Sequence, residues 1–187
     1  SNFRFGQFMA SLRTVLKRKP TAHIVIAGPD TLFPTPPSGD KPSCQSMICK
    51  KMDLNPEQVH FLEDLDQDRY IQLLQASSVH VSVDSGLMAS IPMLQAMACE
   101  CLVVAPDTLP VREIITDGTN GIVSDFSTPD KLSQKILACL DYPSFMTAVR
   151  QKARQTIVEK YALEKTLPRC LDTIRHLIAQ QNSEPFG

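Results

Sequence analysis

The stretch from Asp84 to Val104 limits what this chain can fold into more than any other. It reads as strand end, tight turn, helix and buried strand in immediate succession. Before it, Val79 to Val83 alternates apolar and polar residues, as a strand entering a sheet does. After it, Cys101 to Ala105 is a short apolar run, the pattern of a strand covered on both faces. A helix that opens at the carboxyl end of a parallel strand points unpaired N–H groups and a positive dipole end into the crevice above the sheet. The segment therefore predicts both a parallel α/β architecture and a place where an anion such as phosphate fits.

The chain has 187 residues, enough for one well-packed domain over residues 1–187. With 43% apolar and 21% charged residues it falls in the soluble globular class. A net charge of −1 gives no field that would draw nucleic acid or an anionic membrane. No apolar run approaches membrane-spanning length. The start of the chain lacks a basic segment leading into an apolar one, so no secretory leader is expected. Cys44, Cys49, Cys99, Cys101, Cys139 and Cys170 form no C-x-x-C pair and read as small buried hydrophobes in a reducing, cytoplasmic setting. His23, His60, His80 and His176 are scattered, which argues against a metal site.

From Phe5 to Lys19, apolar residues recur at helical spacing until Pro20 ends the pattern. Arg13, Lys17, Arg18 and Lys19 make that helix end basic. They read as a solvated face complementing the helix C-terminus, or alternatively as a peripheral membrane contact. His23 to Ala27 reads as a strand closed by Gly28, and the Pro-, Gly- and Ser-rich stretch from Thr31 to Pro42 as a loop. A helix over Ser43 to Met52, a strand over Val59 to Leu62, a helix over Asp66 to Ala76 and a strand at Val79 follow. Beyond the strand at Cys101 come a short helix over Leu109 to Thr116, a turn over Asp117 to Gly121, and a strand from Gly121. Helices over Pro129 to Leu140, Tyr142 to Tyr161 and Glu164 to Ala179 finish the chain, with residues 180–187 as a frayed tail. Alternating strands and helices predict right-handed β-α units in one doubly wound parallel sheet, with ligands at the carboxyl ends of its strands.

The words along the chain resemble the C-terminal, donor-binding domain of glycosyltransferases of the GT-B fold, family 4. His23 to Gly28 is similar to the second strand and its glycine turn. Val59 to Leu62 resembles the strand before the base pocket, and Met93 to Cys99 the family's L-E-A-M-A-C helix. Pro110 to Ile115 and Asp117 to Gly121 resemble its later turns. The resemblance implies a Rossmann-like sheet whose central first strand has no segment in this chain, so a gap is expected between the family's second and fourth strands. It also implies a nucleotide-diphosphate sugar as donor substrate, no cofactor, and an acceptor-binding N-terminal domain as partner. The family's cationic Gly-Arg turn and lysine, and that N-terminal domain, have no match here, so the chain by itself is expected to transfer no sugar. Gly28, Phe61, Leu62, Ser85, Gly86, Leu87, Met88 and Gln95 are the donor-binding positions it implies. The amides of Gly86, Leu87 and Met88 would face the diphosphate, backbone groups around Phe61 and Leu62 the base, and Gln95 the ribose. No residue reads as a general base.

The departures are specific. The family motif carries two glutamates eight positions apart, and by that spacing they fall on Leu87 and Gln95. Leucine cannot contact the sugar as a carboxylate does. Gln95 keeps an acceptor oxygen but loses the charge. Glu63 and Glu100 stand where glycines are usual, Glu100 at a position expected to take a left-handed helix cap. Pro92 favours a helix start nearer Ser90, which would move the donor amides. Two further readings stay open: a non-catalytic nucleotide-sugar-binding or structural domain, and a regulatory module in which Met88, Met93 and Met97 merely fill the core.

Overall fold

The computed structural model describes residues 2–28, 44–63, 65–83 and 90–183. The chain order is α1 (Asn2–Arg18), β1 (Ile24–Ala27), α2 (Cys44–Met52), β2 (Val59–Leu62), α3 (Gln67–Ala76), β3 (Val79–Val81) and α4 (Ile91–Ala98). Then come β4 (Leu102–Pro106), α5 (Leu109–Arg112), β5 (Ile122–Ser124), α6 (Pro129–Asp141), α7 (Pro143–Lys160) and α8 (Leu163–Ser183). The α/β class and the parallel pairing expected from the sequence are both present.

One expectation fails. The strands form two parallel sheets, β1-β2 and β3-β4-β5, where one was expected. β1 bonds only to β2 and β3 only to β4 among the described residues, and β1 and β3 do not pair with each other. That gap lies where the resemblance left a strand unaccounted for. The two sheets nevertheless share one core. Ile24, Ile26, Val59 and Phe61 from the first sheet join Val79, Val81, Leu102 and Val104 from the second in a single apolar cluster. Helix α1 contributes Phe8, Met9, Leu12, Val15 and Leu16 to it, and α6 contributes Leu132, Ile136 and Leu137. The helical spacing of the α1 residues puts all five on one face, and each such side chain buried stabilises the fold by about 1.5–3 kcal/mol.

β4 shows why its sequence has no polar residue. Leu102 and Val104 enter that cluster, while Cys101, Val103 and Ala105 enter a second one on the opposite face with Met93, Ala96 and Met97 of α4. The doubly wound arrangement follows from this alternation. α7 closes the second layer through Ala153 and holds chain ends with arginines. Arg154 donates to the Ala98 carbonyl at the end of α4 (2.5 Å), and Arg150 to the Ser78 carbonyl before β3 (2.9 Å). The turn from Asp117 to Gly121 is tied by Asn120, which accepts from the Thr116 N–H and donates to the Ile114 carbonyl and Thr156 hydroxyl. Gly118 is required there by its φ of 71°.

Boundaries move by small amounts with local causes. Asp66 caps α3 by accepting from the Arg69 N–H (2.8 Å). The helix expected over Leu109 to Thr116 is a single turn, Leu109–Arg112. Residues 180–183, read as the start of a frayed tail, are helical, because α8 runs through Ser183.

Candidate functional site

In a parallel sheet the carboxyl ends of the strands define one rim, and the loops leaving them line it. β1 and β2 run in register, Ala27 beside Leu62, and the Gly28 N–H extends the ladder by donating to the Leu62 carbonyl (3.1 Å). Gly28, Phe61 and Leu62, three of the expected donor-binding positions, therefore sit together at that rim. The Phe61 ring packs into the core cluster, so what it offers the rim is backbone. Glu63, one residue further, is exposed. Ser85, Gly86, Leu87 and Met88 lie outside the described residues.

The helix of the motif begins later than the simple reading placed it. Ser90 is its cap: its side chain accepts from the Met93 N–H (3.2 Å), and Pro92 sits in the first turn, where a missing N–H costs nothing. α4 therefore starts at Ile91, three residues past Met88. Within α4, Met93, Ala96 and Met97 are fully buried, Ile91 is 70% exposed, and Gln95 is half-buried between them. Two of the three motif methionines are therefore core filler. Glu100 holds the left-handed conformation foreseen for it, with φ 58°, and its carboxylate lies 3.6 Å from Arg154.

At the ends of β4 and β5 the rim is acidic, with each acid paired. A hollow of about 230 Å³ is lined by Arg4, Pro106, Asp107, Asp125, Phe126 and Ser127. The Arg112 guanidinium grips the Asp107 carboxylate with both prongs, one at 2.7 Å, and lowers its pKa. Asp125 is held down to about 2, chiefly by the Lys131 ammonium at 2.6 Å and then by Ser127. Both acids stay ionised and committed at neutral pH, so neither is suited to taking a proton. The Ser124 and Thr108 hydroxyls beneath this rim are buried with no hydrogen-bond partner among the described residues.

One feature leaves no sign in the sequence. His23 and His60 stack on the outer face of the β1-β2 sheet, with ring centroids 5.2 Å apart and Nδ1 to Nε2 3.0 Å. Only the β1-β2 register brings them together, and spacing along the chain carries no sign of it. A larger basic hollow of about 520 Å³ lies along Arg13, Thr14, Lys17 and Arg18. It sits on the last turns of α1, which lead into the start of β1, hence at the amino ends of the strands, away from the rim. Cys49, Cys101 and Cys139 are buried as expected, and burial pushes the last two up to about 11, leaving inert thiols. Cys170 departs from that reading, being exposed. No helix among the described residues is long and apolar enough to cross a membrane.

Comparison with known proteins agrees with this architecture. A sucrose-phosphate synthase from Thermosynechococcus elongatus superposes with a TM-score of 0.77 at 16% identity, over 93% of this chain and 43% of that one. The C-terminal domain of a glycosyl transferase group 1 family protein from Francisella tularensis gives 0.67 at 20% identity, over 84% and 78%. An Anabaena protein solved in complex with UDP-glucose gives 0.64 at 15%, over 89% and 52%. These likenesses show the fold. In sequence, an uncharacterised glycosyltransferase of Methanocaldococcus jannaschii is 25% identical over 111 residues, 58% of this chain and 28% of that protein. The chain thus spans under a third of that curated relative. The family model for glycosyl transferases group 1 matches residues 5–156, and the chain belongs to that family.

Proposed function

We propose that this chain is the C-terminal, donor-binding half of a family 4 glycosyltransferase, which transfers a sugar from a nucleotide-diphosphate sugar to an acceptor. The observation that carries the reading is the meeting of Gly28, Phe61 and Leu62 at the carboxyl-end rim, within a chain of this family. The base would lie against the backbone there, and the ribose near Gln95. The Anabaena protein of the same fold was solved with UDP-glucose, which supports a nucleotide sugar as ligand class. On this reading the donor is the one small molecule the domain takes, with no cofactor. Its partner is an acceptor-binding N-terminal domain of the same polypeptide, and the setting is cytoplasmic. The basic end of α1 is offered as a peripheral membrane contact, and no nucleic acid is involved. Stabilising the departing diphosphate is the work of preorganised donors.

A second reading has one feature in its favour: Leu87 and Gln95 stand where the family motif carries carboxylates, which suits a nucleotide-sugar-binding domain without catalysis. A thermal-shift panel of UDP, GDP, ADP and their sugars tests the shared claim, since a ligand bound only by the native state raises its melting temperature. A shift with one base and not the others is expected. No shift at millimolar ligand would overturn both readings. Sugar transfer by a polypeptide joining this chain to an acceptor-binding domain separates the first from the second.

A further inference from the structure

The end of the molecule where α1 finishes joins cations to exposed aromatic rings. α1 has 17 residues, about 25 Å of helix. It runs from the hollow at the ends of β4 and β5, which Arg4 lines, to the amino end of β1. Its last turns present Arg13, Lys17 and Arg18, all exposed, along the basic hollow. Asp53 holds Arg13 at 2.8 Å and brings the end of α2 alongside, with Lys50 and Lys51 exposed. Lys19 holds Asp141 at 2.5 Å, which sets the start of α7 next to the end of α1. There Tyr142 and Phe145 are each 65% exposed. Basic residues in a last helical turn complement the helix dipole, and that accounts for part of the cluster. It leaves unexplained why six cations gather here in a chain of net charge −1, with two uncovered rings beside them. Of the acids at this end, Asp53 and Asp141 are spent on Arg13 and Lys19, and Glu57 stands in the turn before β2.

We propose that this end of the molecule docks on an anionic lipid surface, with the cations against headgroup phosphates and Tyr142 and Phe145 entering the headgroup layer. It rests on the functional reading above only for the peripheral contact at α1, and adds the lipid charge, α2 and the two rings. Charge complementarity argues for this occupant, since each Lys or Arg near an anionic leaflet adds attraction within a Debye length. The rings argue for a membrane over a free phosphate, because aromatic side chains settle where headgroups meet acyl chains. A nucleic-acid strand is a poorer fit: it needs a groove tracking its backbone with rings along it. Here the rings stand to one side, at the start of a different helix from the cations. Docked this way, the chain holds the far end of α1, and the nucleotide rim there, away from the membrane.

Co-sedimentation of the full chain with vesicles tests the docking. Vesicles of phosphatidylcholine and phosphatidylglycerol at about 2:1 should pellet the chain, and pure phosphatidylcholine should not. Raising salt from about 0.1 M to about 0.5 M should lower the partition coefficient about tenfold. Lys17→Glu with Arg18→Glu should lower it more than about tenfold. Tyr142→Ala with Phe145→Ala should lower it about threefold or more at unchanged charge. All four side chains are exposed, so melting temperature should hold in both variants. Whichever nucleotide raises the melting temperature should leave the partition unchanged. Loss of that nucleotide shift with vesicle binding intact would sink the functional reading alone, and the reverse would sink only the docking. Equal binding to neutral vesicles, a partition indifferent to either variant, or release from the vesicles by single-stranded RNA at equal charge would overturn the proposal.

Discussion

Single residues carry both the strain and the repair in this domain. Asn120 is 5% exposed and its amide holds the Thr116 N–H, the Ile114 carbonyl and the Thr156 hydroxyl. Truncating it removes all three bonds, although the Thr156 hydroxyl keeps its own bond to the Lys152 carbonyl, so Asn120→Ala should cost about 2–3 kcal/mol in urea unfolding. A loss within the noise of a surface substitution would mean that the turn from Thr116 to Gly121 is held by other groups. Glu100 is the opposite case, a side chain where the backbone suits glycine, at φ 58°. Its ion pair with Arg154 is half-exposed and worth a few tenths of a kcal/mol at most. Glu100→Gly should therefore stabilise by about 1 kcal/mol and raise Tm by about 2–4 °C; a lower Tm would show that the ion pair dominates. For Asp125, the folded pKa of about 2 lies below the unfolded value of about 3.9. An acid lowered in this way lends stability above its unfolded pKa and loses it as pH falls through the folded one. The Asp125–Lys131 contribution is thus present at neutral pH and fades from about pH 4 towards pH 2. Lys131→Met should lower Tm slightly at pH 6, and the gap to the parent should narrow across that window. A gap that persists at its full size would place the effect in packing, outside the ion pair.

At the scale of elements, what the sequence made legible was what local chemistry decides. The strand over Val59–Leu62 matches its expected span, and α1 and α3 lie where their apolar spacing and Asp66 put them. The late start of α4 was legible too, since Ser90 and Pro92 are a cap and a first-turn proline. What escaped is set by register between distant segments. The His23–His60 stack depends on Val25 lying beside His60 across the sheet, and the division into two sheets on the absence of pairing between β1 and β3. The exposure of α8 escaped for a related reason: amphipathic spacing announces an apolar face without saying what covers it. α4 yields the prediction of this scale. Gln95 is half-buried while Met93, Ala96 and Met97 form the core face. Gln95→Ala should leave folding stability nearly unchanged and weaken nucleotide binding by about 0.5–1.5 kcal/mol, the net worth of a neutral hydrogen bond. Gln95→Glu should hold or improve affinity through charge-assisted bonds to the ribose. Calorimetry on the three proteins decides it, and unchanged affinity in Gln95→Ala would remove this side chain from the site.

For the whole molecule, the shared apolar cluster makes the two sheets one folding unit. The rim and the basic hollow of α1 lie at opposite ends of the strands and offer a nucleotide different chemistry. The rim offers backbone and paired acids, and the hollow offers Arg13, Lys17 and Arg18. On charge alone a diphosphate would favour the hollow; on architecture it belongs at the rim. Amide hydrogen exchange of the full chain, with and without whichever of UDP, GDP and ADP raises its melting temperature most, separates the two. Slowed exchange is expected around Gly28 and Leu62 and in the first turn of α4, with Arg13 to Arg18 unchanged. Protection confined to Arg13 through Arg18, with the rim unaffected, would contradict it.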